Sequence, residues 1–413
     1  MKLLRAICRF VFGLSFIFSG FLKFIDPVGT GLIIKEYFTI FHLGFLDFSS
    51  IFVGVLLSSL EFIIGVSILL GLRVKIASKI ALFFISFFTI LTLYLALFNP
   101  INNCGCFGEA IHLNNWETFF KNIVLFLCSL LIYVQRDKFI PIAPKHIEWT
   151  FVIIYWAIAV FIAVQTIITL PHSDFTAFKV GTDLKELKNT EKVQYKTIFI
   201  YSKDGKNSEF NLEELPDSTW QYIESKTKLI SGSTENAGID LAISDKNGKY
   251  CTEILYKDTS LVAAIVYDME KTSKRTWKRI SDLDKELNKN GRKIIVITST
   301  PAENIPDSLN YNFLFSDYKT LLTLNRSNGG VVYFDKGYVI RKWPSINLPV
   351  NQINDILSED SEVILLKSSI KEKLFINISL GSIIFLIMMM RYICRISYKH
   401  KRPKTTSNLQ NIL

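Results

Sequence analysis

The sequence has few cysteines and lacks the common catalytic signatures. Its 413 residues include only six cysteines. We find no glycine-rich phosphate-binding loop, no H-E-x-x-H zinc motif and no G-x-S-x-G nucleophile motif. Internal repeats and low-complexity tracts are also absent. The chain therefore gives no support to phosphate-dependent, zinc-hydrolytic or serine-hydrolytic chemistry.

Long apolar runs are abundant instead. Five of them precede residue 172, and each is close to the roughly 20 residues that a helix needs to cross the hydrocarbon core. They cover residues 3–22, 49–72, 76–98, 116–134 and 149–170. A sixth run covers residues 374–390. We expect the first span to be retained, because Phe21, Lys23 and Phe24 stand where a signal-peptide cleavage site needs small residues.

Basic residues fall mainly on one side of these spans. Cytoplasmic loops of membrane proteins are enriched in lysine and arginine. If the N-terminus is cytoplasmic, the inner segments before residue 149 hold Lys2, Arg5, Arg9, Arg73, Lys75, Lys79, Arg136, Lys138 and Lys145. The short outer loops hold only Lys23 and Lys35. The sequence thus predicts six spans in a bacterial inner membrane, with a periplasmic soluble region and both termini cytoplasmic, the second in a basic tail at 391–413.

The net charge of +10 reflects this topology. Residues 172–373 hold 29 Lys plus Arg and 29 Asp plus Glu, so the soluble region is neutral. The excess lies in the membrane region, where it suits contact with anionic lipid. We therefore predict a lipid bilayer as a partner and no binding to nucleic acid.

The stretch NNCGCFGEA, residues 102–110, holds two cysteines around one glycine. On the oxidising side of the membrane Cys104 and Cys106 are able to form a disulfide. Gly105 lets the backbone bend sharply between them. A bridge across one residue closes a very small ring, which favours a strained and reducible bond. Such a pair suits electron transfer better than structural reinforcement.

Two other interpretations of this stretch stay open. The thiols are incidental loop residues in the first. In the second they bind metal, but a zinc site usually needs four nitrogen or sulfur ligands and His112 is only a third candidate. Copper(I) requires fewer soft ligands. We favour the disulfide and predict no metal site.

Glu61 is an ionisable residue in the middle of the second predicted span. Such residues are costly in the membrane and often functional. One interpretation is a protonated side chain that bonds Ser15 or Ser19 of the first span for packing. The other is a proton relay near a quinone or a thiol. Lys23 and Asp26 lie near the end of the first span, where we expect a snorkelling lysine and an Asp-Pro turn.

The motif CGCFG, residues 104–108, resembles that of the MauE-like branch of the DoxX family. Residues 19–27, SGFLKFIDP, are similar to the segment that follows the first helix in this family. Glu61, Gly65 and the LLGL stretch at 69–72 resemble a third family landmark. The resemblance covers residues 1–138. It implies a four-helix membrane bundle linked to redox or disulfide chemistry, and MauE is associated with maturation of the methylamine dehydrogenase system.

Residues 172–373 have an alternating pattern typical of an α/β domain. Predicted strands cover 261–267, 293–298, 313–315, 331–334 and 338–340, and predicted helices cover 272–289 and 318–324. The order resembles the thioredoxin fold. Residues 268–272 occupy the place of its Cys-x-x-Cys, without cysteine, and residues 328–330, Asn-Gly-Gly, occupy the place of its cis-proline. Cys251 is the only thiol of this region, either incidental or an exchange partner of the pair.

Together these patterns predict a multi-span α-helical membrane protein with an α/β thioredoxin-like soluble domain. The predicted divisions are a four-helix bundle at 1–138, a fifth span at 149–170, a β-rich region at 172–250, a thioredoxin-like domain at 251–367 and a sixth span at 374–390. Cys104, Cys106 and Glu61 are the candidate catalytic residues, and a quinone is the candidate cofactor. Whether the protein is an enzyme stays open: it passes electrons between the thiols and a quinone or an extracytoplasmic thiol protein, or it is a non-enzymatic scaffold.

Overall fold

The computed structural model describes nine stretches of the chain. They are residues 2–101, 104–139, 143–171, 173–189, 194–203, 206–211, 220–231, 241–256 and 260–400. The last part of the predicted basic tail, 401–413, lies outside these described residues.

Six helices precede the soluble region. They are α1 (Lys2–Ile25), α2 (Pro27–Ile40), α3 (Ser50–Leu70), α4 (Val74–Phe98), α5 (Asn115–Val134) and α6 (Lys145–Ile168). All except α2 are long and apolar enough to cross a membrane, and these are the five such helices found among the described residues. Their outward-facing side chains are largely apolar and exposed, which suits a lipid environment. The protein is therefore a multi-span helical membrane protein.

Close packing of α1 against α3 depends on small residues. A side chain on Gly65 would meet the backbone nitrogen of Ile17 at 2.7 Å, and one on Gly20 would meet the carbonyl oxygen of Ser58 at 2.8 Å. Backbones approach this closely in membranes only where a glycine or another small residue stands. Gly54 meets the methyl group of Thr30 on α2 in the same way, at 3.1 Å. Gly54 and Gly65, which flank Glu61 on α3, therefore belong to a packing surface.

Helix α2 begins immediately after α1 because of one dipeptide. The side chain of Asp26 accepts a hydrogen bond from the backbone N–H of Gly29, at 2.9 Å, and so caps the helix. Pro27 occupies the first helical position, where its missing N–H costs nothing. The chain turns here and returns along α3, so that α2 covers the end of the bundle near the loop between α4 and α5.

The soluble region contains a five-stranded mixed sheet. Its strands are β4 (Leu261–Val266), β5 (Ile295–Thr298), β6 (Asn312–Phe315), β7 (Gly330–Asp335) and β8 (Tyr338–Trp343), in the spatial order β6-β5-β4-β7-β8. Strands β4, β5 and β6 are parallel, whereas β7 and β8 are antiparallel to their neighbours. The strands that the sequence predicts in this part of the chain are confirmed to within a few residues.

Apolar side chains cover both faces of this sheet. On one face α8 (Lys274–Asn288) and α10 (Ile353–Ser358) pack over β4 and β7 through a cluster that includes Ile280, Leu283 and Ile353. On the other, α9 (Tyr318–Leu324) packs with Phe178, near the short helix α7 (Leu184–Asn189), and with Leu255. Burial on both faces explains the continuous apolar runs of β4 and β5.

A second sheet precedes the mixed sheet in the chain. It comprises β1 (Gln194–Lys203), β2 (Lys206–Asn211) and β3 (Gln221–Ser231), all antiparallel, with β1 in the centre. At the other end, α11 (Ser361–His400) contains the predicted sixth span, 374–390. It is not one of the five helices selected above as membrane-spanning, so this span stays a prediction.

We expect Gly65→Ala to destabilise the bundle by roughly 1–3 kcal/mol, because the added methyl group overpacks the contact between α1 and α3. Thermal unfolding of the detergent-solubilised protein measures the effect. Gly381→Ala is the matched control, since Gly381 also lies in a helix and a methyl group there would meet nothing within 4 Å. Equal melting temperatures for the two variants would contradict the proposed close packing.

Candidate functional site

The two thiols of the loop between α4 and α5 lie side by side. We call residues 104–110 the thiol loop. The Sγ atoms of Cys104 and Cys106 are 2.9 Å apart, and both residues are free cysteines in this structure. Cys104 is buried, whereas Cys106 is partly exposed. The two sulfur atoms are therefore placed to form and break a bond with little movement of the backbone.

Three contacts fix the thiol loop against the bundle. The hydroxyl group of Tyr37 on α2 donates to the carbonyl oxygen of Cys104 at 3.1 Å. The hydroxyl group of Ser19 on α1 donates to the carbonyl oxygen of Cys106 at 2.6 Å. Gly105 has a φ of +65°, and a side chain there would meet Ile33 at 2.4 Å. Only glycine satisfies both the left-handed backbone and the close contact with α2.

Helix α5 begins where the loop ends, through a capping box. The side chain of Asn114 accepts from the N–H of Glu117 at 2.8 Å, and Glu117 accepts from the N–H of Asn114 at 2.9 Å. This start places Thr118, one turn into the helix, beside Cys104, with 3.2 Å between the hydroxyl oxygen and Sγ.

Hydrogen bonds favour a thiolate at Cys104. The thiol of Cys106 is the largest cause that lowers the pKa of Cys104, to about 6. Burial opposes this shift, whereas Thr118 and the N–H of Cys106, 3.3 Å from Sγ, assist it. A sulfur atom that accepts several hydrogen bonds is stabilised in its charged form.

The pKa of Cys106 is shifted in the opposite direction. Its bond to Cys104 and its burial both raise the pKa of Cys106 well above that of an ordinary cysteine. Lys121 on α5 has its Nζ atom 4.6 Å from the centroid of the Phe107 ring. Its positive charge lowers the pKa of both thiols. The pair therefore combines one acidic and one weakly acidic thiol near a lysine.

Glu61 forms an ion pair with Lys23. Nζ of Lys23 lies 2.8 Å from both carboxylate oxygens of Glu61, and both side chains are nearly inaccessible. The expectation of a snorkelling Lys23 is wrong, because the carboxylate of Glu61 attracts the ammonium group into the bundle. The expected contact with Ser19 is confirmed: its hydroxyl group lies 2.8 Å from Oε2 of Glu61. Ser19 thus joins Glu61 to the backbone of Cys106.

A cavity connects these groups. Its volume is about 70 Å³, enough for a few water molecules. The polar groups at its lining include Lys23, Tyr37, Glu61, Cys104, Cys106, Lys121 and Asn122, and the apolar ones include Phe16, Phe84, Ile85, Phe88 and Leu125. The cavity lining therefore combines the thiols and other polar groups with a set of apolar side chains. In the described part of the chain, no group of three or more His, Cys, Asp and Glu side chains is suited to hold a metal ion.

Asp26 has a role that its Asp-Pro turn did not indicate. Besides capping α2, its buried carboxylate accepts hydrogen bonds from Arg326 of the soluble region, the shorter at 2.7 Å. Cys251, in contrast, packs against the apolar core of the soluble region and donates its N–H to Ile243. Its exchange with the thiol pair stays a prediction.

Sequence analysis missed four residues of this site: Tyr37, Thr118, Lys121 and Asn122. A signal existed for two of them, because Asn115, Thr118, Asn122 and Ser129 recur at helical spacing in an otherwise apolar span. These four polar residues, Asn115 to Ser129, are buried on one face of α5. Tyr37 had no such signal, and neither did Arg326 of the soluble region, since the contacts of both join residues distant in the chain.

The fold and the paired thiols define a membrane protein with a dithiol loop beside a charged cavity. Residues 1–135 match the model of a family described as methylamine utilisation protein MauE. The membrane region is therefore MauE-like, as the resemblance predicted. Residues 195–232, which include β1 and β3, match a domain family of unknown function. No curated protein and no solved structure matches the chain.

We expect the alkylation rate of reduced Cys104 to rise with pH around a midpoint of about 6 and then to level off. Thr118→Val removes one hydrogen bond to the thiolate. The midpoint should rise by about one unit, because such a bond is worth about 1.5 kcal/mol or more and one pKa unit equals 1.36 kcal/mol. Peptide mass spectrometry of iodoacetamide-treated membranes measures the rates.

The matched control is Thr89→Val on α4, whose hydroxyl group bonds its own helix at Ile85. This variant should keep the midpoint of the unmodified protein. A midpoint near 8.5 in the unmodified protein, as for an ordinary cysteine, would contradict the thiolate assignment.

Proposed function

We propose that the protein is a membrane thiol oxidoreductase whose working group is the pair Cys104 and Cys106. The observation that supports this most directly is the 2.9 Å approach of their sulfur atoms beside a cavity with an acid and two lysines. The couple alternates between a dithiol and a disulfide. It exchanges two electrons with extracytoplasmic protein thiols on one side and with a membrane quinone on the other.

The unequal thiols suit disulfide exchange. A thiolate of the protein substrate attacks Sγ of Cys106, which is the more exposed residue of the pair, and forms a mixed disulfide. Cys104 leaves as a thiolate, and a leaving group of low pKa leaves faster. The second thiolate of the substrate then attacks the mixed disulfide, so that the substrate gains a disulfide and Cys106 is released as a thiol.

Reoxidation of the pair needs an acceptor of two electrons. A quinone accepts two electrons and two protons. The pair supplies both electrons as it forms its disulfide, Cys106 supplies one proton, and solvent supplies the other because Cys104 is already a thiolate. The apolar side chains of the cavity lining suit a ring from the membrane, and because the cavity volume is only about 70 Å³ we expect the reacting ring to lie at its edge. Glu61 lines the same cavity as the thiols and is the group that relays a proton on its way to the quinone.

The cellular role follows from the MauE-like membrane region. The family name connects it with methylamine utilisation, and we propose a role in the maturation of extracytoplasmic disulfide-containing proteins. The distribution of lysine and arginine supports a periplasmic position for the thiol loop and the soluble region, where disulfides persist.

We also propose that residues 251–367 form a thioredoxin-like module without its own redox centre. The order β5-β4-β7-β8, with the first two strands parallel and the next two antiparallel, supports this assignment. A scaffold that only binds a partner protein through this module is the second candidate function. The absence of cysteine at residues 268–272 favours it, whereas the geometry of the thiol pair does not.

We expect Cys104 and Cys106 to be oxidised in membranes supplied with quinone and reduced in quinone-depleted membranes given a dithiol peptide. Cys104→Ser should trap a mixed disulfide at Cys106, visible by non-reducing electrophoresis. Glu61→Gln should slow turnover, expressed per molecule of protein in the membrane, at least tenfold if proton transfer contributes the usual 10²–10⁴-fold; its abundance should fall, because Lys23 loses its buried partner.

Lys75→Gln is the control for loss of a charged pair, because Lys75 and Asp137 form an exposed ion pair away from the thiols. It should leave turnover unchanged. Thiols that stay reduced under oxidising conditions with quinone present would exclude the redox function and leave the scaffold.

The topology has its own test. Protease added to intact spheroplasts should cleave within residues 172–373 and spare the tail from residue 391, because the membrane shields cytoplasmic segments. Fragments are identified with antibodies against the two regions. In permeabilised spheroplasts both regions should be cleaved. Cleavage of the tail alone in intact spheroplasts would reverse the proposed orientation.

A further inference from the structure

A buried arginine of the soluble domain reaches into the membrane bundle. Nη2 and Nε of Arg326 lie 2.7 and 3.1 Å from the same carboxylate oxygen of Asp26. Nη2 also lies 3.8 Å from Oε1 of Glu109, the residue that follows CGCFG. The side chains of Arg326 and Asp26 are only 4% and 7% exposed. This contact joins residues that are 300 positions apart in the chain.

The two carboxylates come from different parts of the dithiol site. Asp26 caps α2, and α2 supplies Tyr37, which binds the carbonyl oxygen of Cys104. Glu109 belongs to the thiol loop itself. One guanidinium group therefore holds the loop and the helix beneath it together. Without a cation, two negative charges would lie close to each other in a buried place, which is costly.

The soluble domain presents Arg326 from a rigid turn between α9 and β7. The side chain of Asn325 donates to the carbonyl oxygens of Val331 and Trp343 at 3.3 and 3.2 Å, and it accepts from the N–H of Ser327 at 3.0 Å. The hydroxyl group of Tyr267 donates to the carbonyl oxygen of Arg326 at 3.2 Å. These hydrogen bonds fix the turn from which the side chain of Arg326 extends to the bundle.

A second contact between the two regions is exposed. Lys319 pairs with Glu36 at 2.6 Å, and their side chains are 67% and 39% exposed. Exposed ion pairs contribute little, because water competes for both groups. The buried pair of Arg326 and Asp26 is therefore the contact on which docking depends, and the exposed pair offers a control in the same interface.

We infer that Arg326 is a positioning residue: it docks the soluble domain on the bundle and holds the thiol loop, so that domain docking controls the reactivity of Cys106. The effect of docking on redox turnover rests on the proposed function. The contacts that dock the domain and hold the loop do not depend on it. The partner that this face of the bundle fits is an α/β domain with an arginine in a rigid turn. In this chain the partner is covalently attached.

The test compares Arg326→Gln, Arg326→Lys and Lys319→Gln in the full-length protein in its membrane. The probe is a membrane-impermeant maleimide, and the readout is the labelling rate of reduced Cys106. We expect Arg326→Gln to raise this rate about tenfold, because the loop then opens more often. Lys319→Gln should change it less than about twofold, since exposed pairs are weak. Arg326→Lys, which keeps the charge but loses the fork of donors, should be intermediate.

A further variant separates this inference from misfolding, and comparison of labelling with turnover separates it from the proposed function. If Arg326→Gln does not accumulate, Glu109→Gln releases the loop alone and should raise the labelling of Cys106 with the domain still docked. An unchanged labelling rate in Glu109→Gln and in any Arg326→Gln that accumulates would overturn the inference. Labelling that depends on Arg326 without quinone-linked turnover would overturn the proposed function and retain the inference. Quinone-linked turnover together with a labelling rate of Cys106 that does not depend on Arg326 would overturn the inference and retain the proposed function.

Discussion

The ion pair between Lys23 and Glu61 is the interaction around which the dithiol site is arranged. A charge inside an apolar bundle is tolerated only with a partner, and here the two residues come from adjacent helices, α1 and α3, whose close packing depends on Gly20 and Gly65. The pair fixes the cavity wall, and Ser19 transmits that position to the backbone of Cys106. Small residues, buried charge and thiol geometry are thus parts of one arrangement.

The unequal environments of the two thiols follow from this arrangement. Cys104 faces α5 and receives hydrogen bonds from Thr118 and from the backbone, whereas Cys106 is the more exposed residue. The largest cause of the difference lies within the C-G-C turn itself, in the hydrogen bond between the two thiols. The bundle adds to it through Thr118 of α5, which bonds Cys104. That difference assigns Cys104 as the leaving thiolate in the exchange that we propose.

The buried arginine gives the soluble domain a direct connection to the same site. Asp26 needs a cation because it is removed from water. Arg326 supplies it from the other region of the chain, and its Nη2 atom also lies 3.8 Å from the partly exposed Glu109. The domain has no cysteine at residues 268–272, so its contribution to the proposed chemistry is positional. In the function that we propose, the arginine contact is the means by which this domain influences the reaction in the membrane region.

The sequence by itself determined the elements with strong local signals. Apolar runs of spanning length gave the five membrane helices, alternating and continuous apolar runs gave the strands of the mixed sheet, and the CGC turn gave the candidate thiols, because each of these depends on neighbouring residues. Lys23, Asp26 and Arg326 were different. Lys23 was expected to reach the membrane surface and Asp26 only to turn the chain, and Arg326 carried no signal. Their roles were decided by the tertiary structure, since a buried charge takes its partner from whichever helix or loop the fold places beside it.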